Sequence, residues 1–304
     1  MGTEEQGLGG DLRLGGRSVA RVGFGMGSLG RTEDSAASRD RGVSVLRQAF
    51  DDGVRIFDTA HFYGAGHANS LLAEAFAGNR DEVVVATKAG ARATPEGPAP
   101  MTAAQHPDEL RASVEDNLAT LASDYVDIVY LRRMDFRPGL VVEEDQMVNL
   151  EDQLAELIAL REEGKVRGIG LSHVRKEQVE AALPAGIVAV QNIYNLLDRR
   201  DEGLLELCRD HDAAWIPYFP LGGGGSFFGL PRVVDDPVVI EIAHAMGVTP
   251  QQVGMAWLLE HSPNTAVISG TSNPDHLREN LSAGRISLDA EAMRRLDTRH
   301  VAGD

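Results

Sequence analysis

Short β-branched runs alternate with longer segments of helical period along almost the whole chain, and this alternation constrains its fold more than any other feature. Strands are expected at 21–24, 54–57, 83–87, 126–131, 168–171, 188–191, 214–216 and 265–268. Helices are expected at 42–52, 68–77, 107–121, 150–163, 176–183, 202–211, 236–246 and 250–260, with another at 274–282 after the eighth strand. Pro250 and Pro274 suit the first turn of a helix, where a missing N–H costs nothing, and Thr249 and Asn273 suit the caps before them. Eight βα units in 304 residues imply an α/β protein of the closed (β/α)8, or TIM, barrel class. Residues 12–15 and 18–21 read as a short β-hairpin plugging the N-terminal face of the barrel. Residues 1–11, polar and glycine-rich, are expected to be disordered, and 12–304 to form one domain.

Composition narrows the function classes. Apolar residues make up 43% and charged residues 25%, which suits a soluble globular chain. No apolar run approaches the ~20 residues that span a bilayer. The N-terminus has neither a basic start nor an apolar run, so no signal peptide is expected. The single cysteine, Cys208, excludes an internal disulfide and any CxxC metal site, and a reducing cytoplasm is the expected location. A net charge of −17 opposes nucleic acid and anionic membranes, so a small molecule is the expected partner.

Some local motifs carry little. Gly25-Met26-Gly27-Ser28-Leu29-Gly30 matches GxGxxG after a strand, but the polar run Arg31–Ser35 follows where a dinucleotide fold needs a helix. A tight turn at the barrel mouth explains it better. Gly170-Leu171-Ser172-His173-Val174 lacks the last glycine of a nucleophile elbow. His61 and His67 have no metal-ligand spacing, and no metal is expected. Trp215, Trp257 and Cys208 read as packing residues.

Barrel enzymes work at the C-terminal ends of their strands, so polar residues that end an apolar strand are informative. In strand order these are Asp58 with Tyr63 beyond it, Lys88, Arg132, Ser172 with His173, Gln191 with Asn192 and Tyr194, Tyr218, and Ser269–Asn273. Asp58 and Lys88, on adjacent strands, can form an ion pair close to Tyr63. A cation beside a phenol favours the phenolate, so such a tyrosine can give a proton to a carbonyl oxygen and take it back. Arg132 adds a fixed charge for a developing alkoxide. A proton at oxygen implies a hydride at carbon, and a nicotinamide fits. Ser172, Gln191 and the side chain of His173 can hold a carboxamide, and Tyr218 can stack on the ring. After Pro220 and Leu221, the run Gly222–Gly225 leaves backbone N–H groups open to a pyrophosphate. The turn Ser269-Gly270-Thr271-Ser272-Asn273 opens a helix and makes an anion site, with His276 and Arg278 favouring an added 2′-phosphate. NADPH is therefore the expected cofactor.

The stretches Phe57-Asp58-Thr59-Ala60-His61-Phe62-Tyr63-Gly64, Ala86-Thr87-Lys88, Gly168–Ser172, Val190–Asn195 and Gly270–Asn280 resemble the aldo-keto reductase superfamily, over nearly the whole length. The resemblance implies a (β/α)8 barrel that reduces carbonyls with NADPH. It implies a tetrad of Asp58, Tyr63, Lys88 and, at the fourth place, Arg132, where most members carry histidine. It also implies cofactor contacts from Gly25, Met26 and Gly27 and from Glu279 and Asn280. Arginine at the fourth place, with Phe219–Gly223, Ala256–Leu259 and His276–Asn280, is similar to the branch of microbial pyridoxal reductases, so reduction of pyridoxal to pyridoxine is the nearest implied activity. Two alternatives stand beside it. One is a ketoreductase or sugar reductase of secondary metabolism, its pocket shaped by the loop Met134–Asn149, with Arg132 and Arg133 suiting an anionic or phenolic substrate. The other is a nicotinamide-binding regulatory protein with little turnover.

Overall fold

The computed structural model describes residues 7–94, 101–223 and 229–299. Strands β1 (Asp11–Leu14) and β2 (Arg17–Ala20) form an antiparallel hairpin in which Leu12 faces Val19. Then follow β3 (Val22–Gly25), β4 (Ile56–Asp58), β5 (Val84–Ala89), a second hairpin of β6 (Ala91–Ala93) and β7 (Met101–Ala103), and β8 (Val126–Arg132), β9 (Val166–Ser172), β10 (Ile187–Gln191), β11 (Ala214–Trp215) and β12 (Val267–Ile268). Eight of these make one parallel sheet in the order β11-β10-β9-β8-β5-β4-β3-β12. A parallel bridge between Trp215 and Thr265 joins its two ends, so the sheet closes into a (β/α)8 barrel.

The helices are α1 (Ala36–Asp51), α2 (His67–Ala75), α3 (Pro107–Leu121), α4 (Leu150–Glu162), α5 (Lys176–Ala182), α6 (Glu202–Asp210), α7 (Pro237–Met246), α8 (Pro250–His261), α9 (Pro274–Ser282) and α10 (Ala290–Asp297). Their capping follows local chemistry. Thr249 closes a capping box with Gln252 ahead of Pro250, and the Asn273 side chain accepts the Asp275 N–H ahead of Pro274. Helix α1 begins six residues before its expected start at 42. Ser35 caps it by accepting the Ser38 N–H, and its first turns are too polar to show a period. The hairpin β6–β7 and helix α10 lie outside the expected elements. In α10 Leu296 is buried, and Ala292 and Met293 pack against the core beside it.

Side chains along a strand alternate between two faces. Ile56, Val84, Ala86, Ile128, Tyr130, Ala189, Ala214, Ile216 and Ala266 fill the barrel interior, joined by Leu12, Leu14 and Val19 of the hairpin. The hairpin is thus the expected plug. The opposite parity, including Phe24, Phe57, Val85, Val129, Leu131, Ile169, Leu171 and Val190, packs beneath the helices with Trp215, Trp257 and Cys208. At the bottom, the Arg21 guanidinium bonds the carbonyls of Thr265, Leu259, Ser262 and Gly9 at 2.6–3.0 Å. From the expected tail, residues 7–11 are already tied in: Gly9 N–H bonds Gly284 C=O at 2.9 Å, and Asp11 starts β1. Residues 1–6 lie outside the described residues.

Tyr130 is the bulkiest interior side chain, and the facing strand makes room with glycine: a Cβ on Gly170 would stand 2.6 Å from Tyr130 Cδ1 and 3.0 Å from Ala189 O. Gly170→Ala should therefore lower the unfolding free energy by about 1–3 kcal/mol, the usual cost of overpacking. Urea denaturation reads this directly, and a variant as stable as the parent would contradict the interior packing.

Candidate active site

The parity that fills the barrel continues to its mouth. Two residues above Ile56, Ala86, Tyr130, Gly170, Ala189, Ile216 and Ile268 stand Asp58, Lys88, Arg132, Ser172, Gln191, Tyr218 and Gly270. The expected polar set therefore shares one rim. Lys88 Nζ bonds Asp58 Oδ1 at 2.6 Å and the Thr59 carbonyl at 2.9 Å. Both partners are 3% exposed. Gln191 Nε2 donates to the other carboxylate oxygen, Asp58 Oδ2, at 2.9 Å. Burial works against the Lys88 charge, but the Asp58 carboxylate, Tyr63 and the Asp58 hydrogen bond outweigh it and hold its pKa above the ordinary lysine value.

Behind the pair, the outward-facing neighbours are polar as well. Thr59 Oγ1 donates to Asn69 Oδ1 at 2.7 Å, Thr87 Oγ1 to Asn117 Oδ1 at 2.5 Å, and Asn69 Nδ2 to Asn117 Oδ1 at 2.9 Å. This amide bridge from α2 and α3 pins the ends of β4 and β5, and neither asparagine is among the expected site residues.

Tyr63 sits half-buried in the loop after β4, with its ring centre 5.2 Å from Lys88 Nζ. Phe62 meets it edge-on at 5.0 Å. The GxGxxG run serves this loop: a Cβ on Gly30 would stand 2.6 Å from Tyr63 Cβ, and one on Gly27 would stand 3.8 Å from Tyr63 Cζ. Met26 is fully buried in the core layer beneath the helices.

Arg132 Nη1 donates to Ser172 Oγ at 3.4 Å, and its Cζ lies 5.4 Å from the Tyr218 ring centre. Arg132 Nε is buried without a hydrogen-bond partner. Arg133 has the opposite parity and is committed elsewhere, to Asp135 at 2.9 Å, the Val148 carbonyl at 2.9 Å and Gln153. It is therefore not a substrate anchor. Gln191 Oε1 is buried with no partner, although its amide nitrogen is used. The Asn192 amide is spent on Val174 and Asp201. Both ring nitrogens of His173 are engaged within the protein, Nδ1 with Tyr218 Oη and Nε2 with the Phe136 carbonyl, each at 2.8 Å. Neither is left to reach a carboxamide as expected. Tyr194 also departs from expectation. It is fully buried beneath the helices, its hydroxyl donating to Glu202 at 2.7 Å.

On the far side of the mouth, Gly222 and Gly223 follow Tyr218, Pro220 and Leu221, while Gly224 and Gly225 lie outside the described residues. The end of β3 presses on the turn after β12. A Cβ on Gly270 would stand 1.8 Å from the Gly25 carbonyl oxygen, and Ser28 Oγ donates to Gly270 O at 3.2 Å. Ser269 Oγ is bonded to Met255 Sδ, and Thr271 Oγ1 accepts the Asn273 N–H. Asn273, His276, Arg278 and Glu279 are exposed at the start of α9, with Ser272 and Asn280 half-buried. Arg278 is paired with Asp275 one turn earlier, a surface contact that another anion can exchange.

These groups together can move one proton beside a carbonyl. They comprise a phenol next to a locked ammonium, a fixed guanidinium, and an amide oxygen and a hydroxyl with bonding capacity to spare. The unpartnered Gln191 oxygen and the Ser172 hydroxyl match the donor and acceptor of a carboxamide.

The aldo/keto reductase family model matches residues 21–299. The pyridoxine 4-dehydrogenase of Escherichia coli is 38% identical over 287 residues, covering 93% of this chain and 96% of that protein. A probable aldo-keto reductase of Glycine max is 31% identical over 320 residues, covering 95% of this chain and 88% of the relative. Among solved structures, an aldo-keto reductase from Klebsiella pneumoniae in complex with NADPH superposes with a TM-score of 0.78 at 26% identity, covering 95% of this chain and 94% of that one.

Removing one partner of a buried ion pair leaves an uncompensated charge. Asp58→Asn should therefore cost about 3–5 kcal/mol of stability, and the double variant D58N/K88M should recover part of that loss. A denaturation cycle over the four proteins measures the coupling, and strictly additive losses would deny that the pair acts as a unit. The sign in pH follows from the raised lysine. Its contribution is complete below the ordinary value of 10.5 and fades as pH rises through the higher folded value. That alkaline loss should vanish in K88M.

Proposed function

The chain belongs to the aldo/keto reductase family, and from that premise we propose that it is an NADPH-dependent carbonyl reductase with Tyr63 as general acid. The observation that supports it is the buried Lys88 ammonium, locked by Asp58 and facing the Tyr63 ring at 5.2 Å on the rim of the barrel. Tyr63 gives its hydroxyl proton to the carbonyl oxygen of an aldehyde or ketone. The Lys88 ammonium attracts the negative charge that this leaves on the phenol oxygen, and Asp58 and Gln191 keep Lys88 in place. Arg132 offsets the charge that gathers on the carbonyl oxygen. When bound, NADPH supplies the hydride that makes the carbonyl carbon an alcohol carbon.

The residues on the rim suit that cofactor. Gln191 Oε1 would accept from its carboxamide, the Ser172 hydroxyl would donate to it, and Tyr218 would back the ring. Gly25–Gly27 and Pro220–Gly223 would flank the dinucleotide. Ser269–Asn273 and the N–H groups opening α9 would hold the adenosine-side phosphates, and Arg278 would exchange Asp275 for the 2′-phosphate, with His276, Glu279 and Asn280 alongside.

Pyridoxal is the proposed substrate, with pyridoxine as product. Its support is the likeness to the Escherichia coli pyridoxine 4-dehydrogenase, together with Arg132, whose charge suits the ionisable hydroxyl beside the pyridoxal aldehyde. Loss of NADPH absorbance with pyridoxal and with neutral aldehydes of similar size measures both proposals. Tyr63→Phe should lower turnover by about a hundred-fold or more while NADPH still binds. Undiminished turnover would remove Tyr63 as the acid. Arg132→Ala should lose roughly ten-fold or more in preference for pyridoxal over the neutral aldehydes. Unchanged preference would dismiss the anion anchor.

A further inference from the structure

We propose that His173 is a positioning residue that ties the loop after β8 to Tyr218, so that the substrate side of the mouth holds the ring that backs the nicotinamide. The proposal rests on the placement of Tyr218 beside the cofactor given above.

His173 is 3% exposed, and its backbone is left-handed, with φ at 57°. Non-glycine residues take that conformation at a cost, and the surroundings must hold them in it. Here Phe136, from the loop, stacks on the imidazole with ring centres 4.2 Å apart and planes 14° from parallel. The Arg175 guanidinium lies 4.7 Å from the Phe136 ring centre. The next residue inward, Asp135, is gripped by Arg133 at 2.9 Å and by Gln178 at 2.5 Å. The loop is therefore moored to β9 and α5 around His173.

The direction of the hydrogen bonds follows from donor chemistry. A carbonyl only accepts, so His173 Nε2 carries the proton that Phe136 O receives. Nδ1 is then an acceptor, and the Tyr218 hydroxyl donates to it. Burial first, then the Arg132 and Arg175 charges, hold the imidazole pKa down to about 4, against the pull of the Phe136 carbonyl and Asp135. The ring stays neutral and the chain Tyr218–His173–Phe136 keeps this direction. Tyr218 is thereby fixed by its hydroxyl from a loop that it does not adjoin in sequence.

The test measures NADPH dissociation constants and steady-state constants for one aldehyde in the whole protein and in H173F, H173N, Y218F, Y218A and H173F/Y218F. Phenylalanine keeps the stack on Phe136 but cannot accept from Tyr218, and asparagine tolerates the left-handed backbone but cannot span both partners. H173F, H173N and Y218F should each weaken NADPH binding roughly five-fold, as expected for one lost buried hydrogen bond, and the double variant should be no weaker than its worse parent. The aldehyde KM should rise with them more than kcat falls. Full rescue by H173F would mean that only packing matters, and multiplying effects in the double variant would mean that the two residues act independently. Either outcome overturns the proposal. Unaltered NADPH binding in Y218A would instead refute the placement of Tyr218 beside the cofactor, and the proposal with it.

Discussion

A charge pair sealed inside the top of the barrel organises this protein. Asp58 and Lys88 are almost completely removed from water, where each alone would carry a large desolvation penalty. The pair is stable because its hydrogen-bonding capacity is met on several sides: Lys88 also donates to Thr59 O, and Asp58 also receives Gln191. Those partners lie on different strands. The pair therefore fixes not one side chain but the relative height of β4, β5 and β10, and with it the position of Tyr63.

What surrounds the pair follows from the geometry of a closed sheet. Every second residue points into the barrel, so each strand presents one last inward side chain at the rim. Below that level the interior is apolar and closed from beneath by Leu12, Leu14 and Val19. At that level it is charged and amide-rich. A chain with a net charge of −17 thus gathers Lys88 and Arg132 beside the Asp58 carboxylate at its mouth. Such a site suits an electron-rich transition state and an anionic cofactor despite the repulsive field outside.

The barrel was legible in the sequence because its signals are local and periodic. The eight strand positions, and the starts of α3, α4, α5 and α9, coincide closely with the structure. Helix α1 extends ahead of its expected start because its exposed first turns carry no apolar rhythm, whereas α10, a short amphipathic helix, lies outside the expected elements. The pairing of Asp58 with Lys88 was readable from strand adjacency. The Asn69–Asn117 bridge was not, since nothing in either helix marks an asparagine that faces inward.

Which residues end each strand, and in what order, was determined by the sequence alone, because strand parity and length are local properties. Which of those residues remain available was decided only by the tertiary structure. Arg132 and Arg133 are neighbours of identical chemistry, yet one faces the mouth and the other is saturated by Asp135, Val148 and Gln153. Gln191 keeps an unpartnered oxygen while His173, expected to serve the same ligand, is spent on Tyr218 and Phe136. The physical reason is that a hydrogen-bonding group can be satisfied by any segment that folds against it, and a partner supplied by another segment leaves no trace in the local pattern.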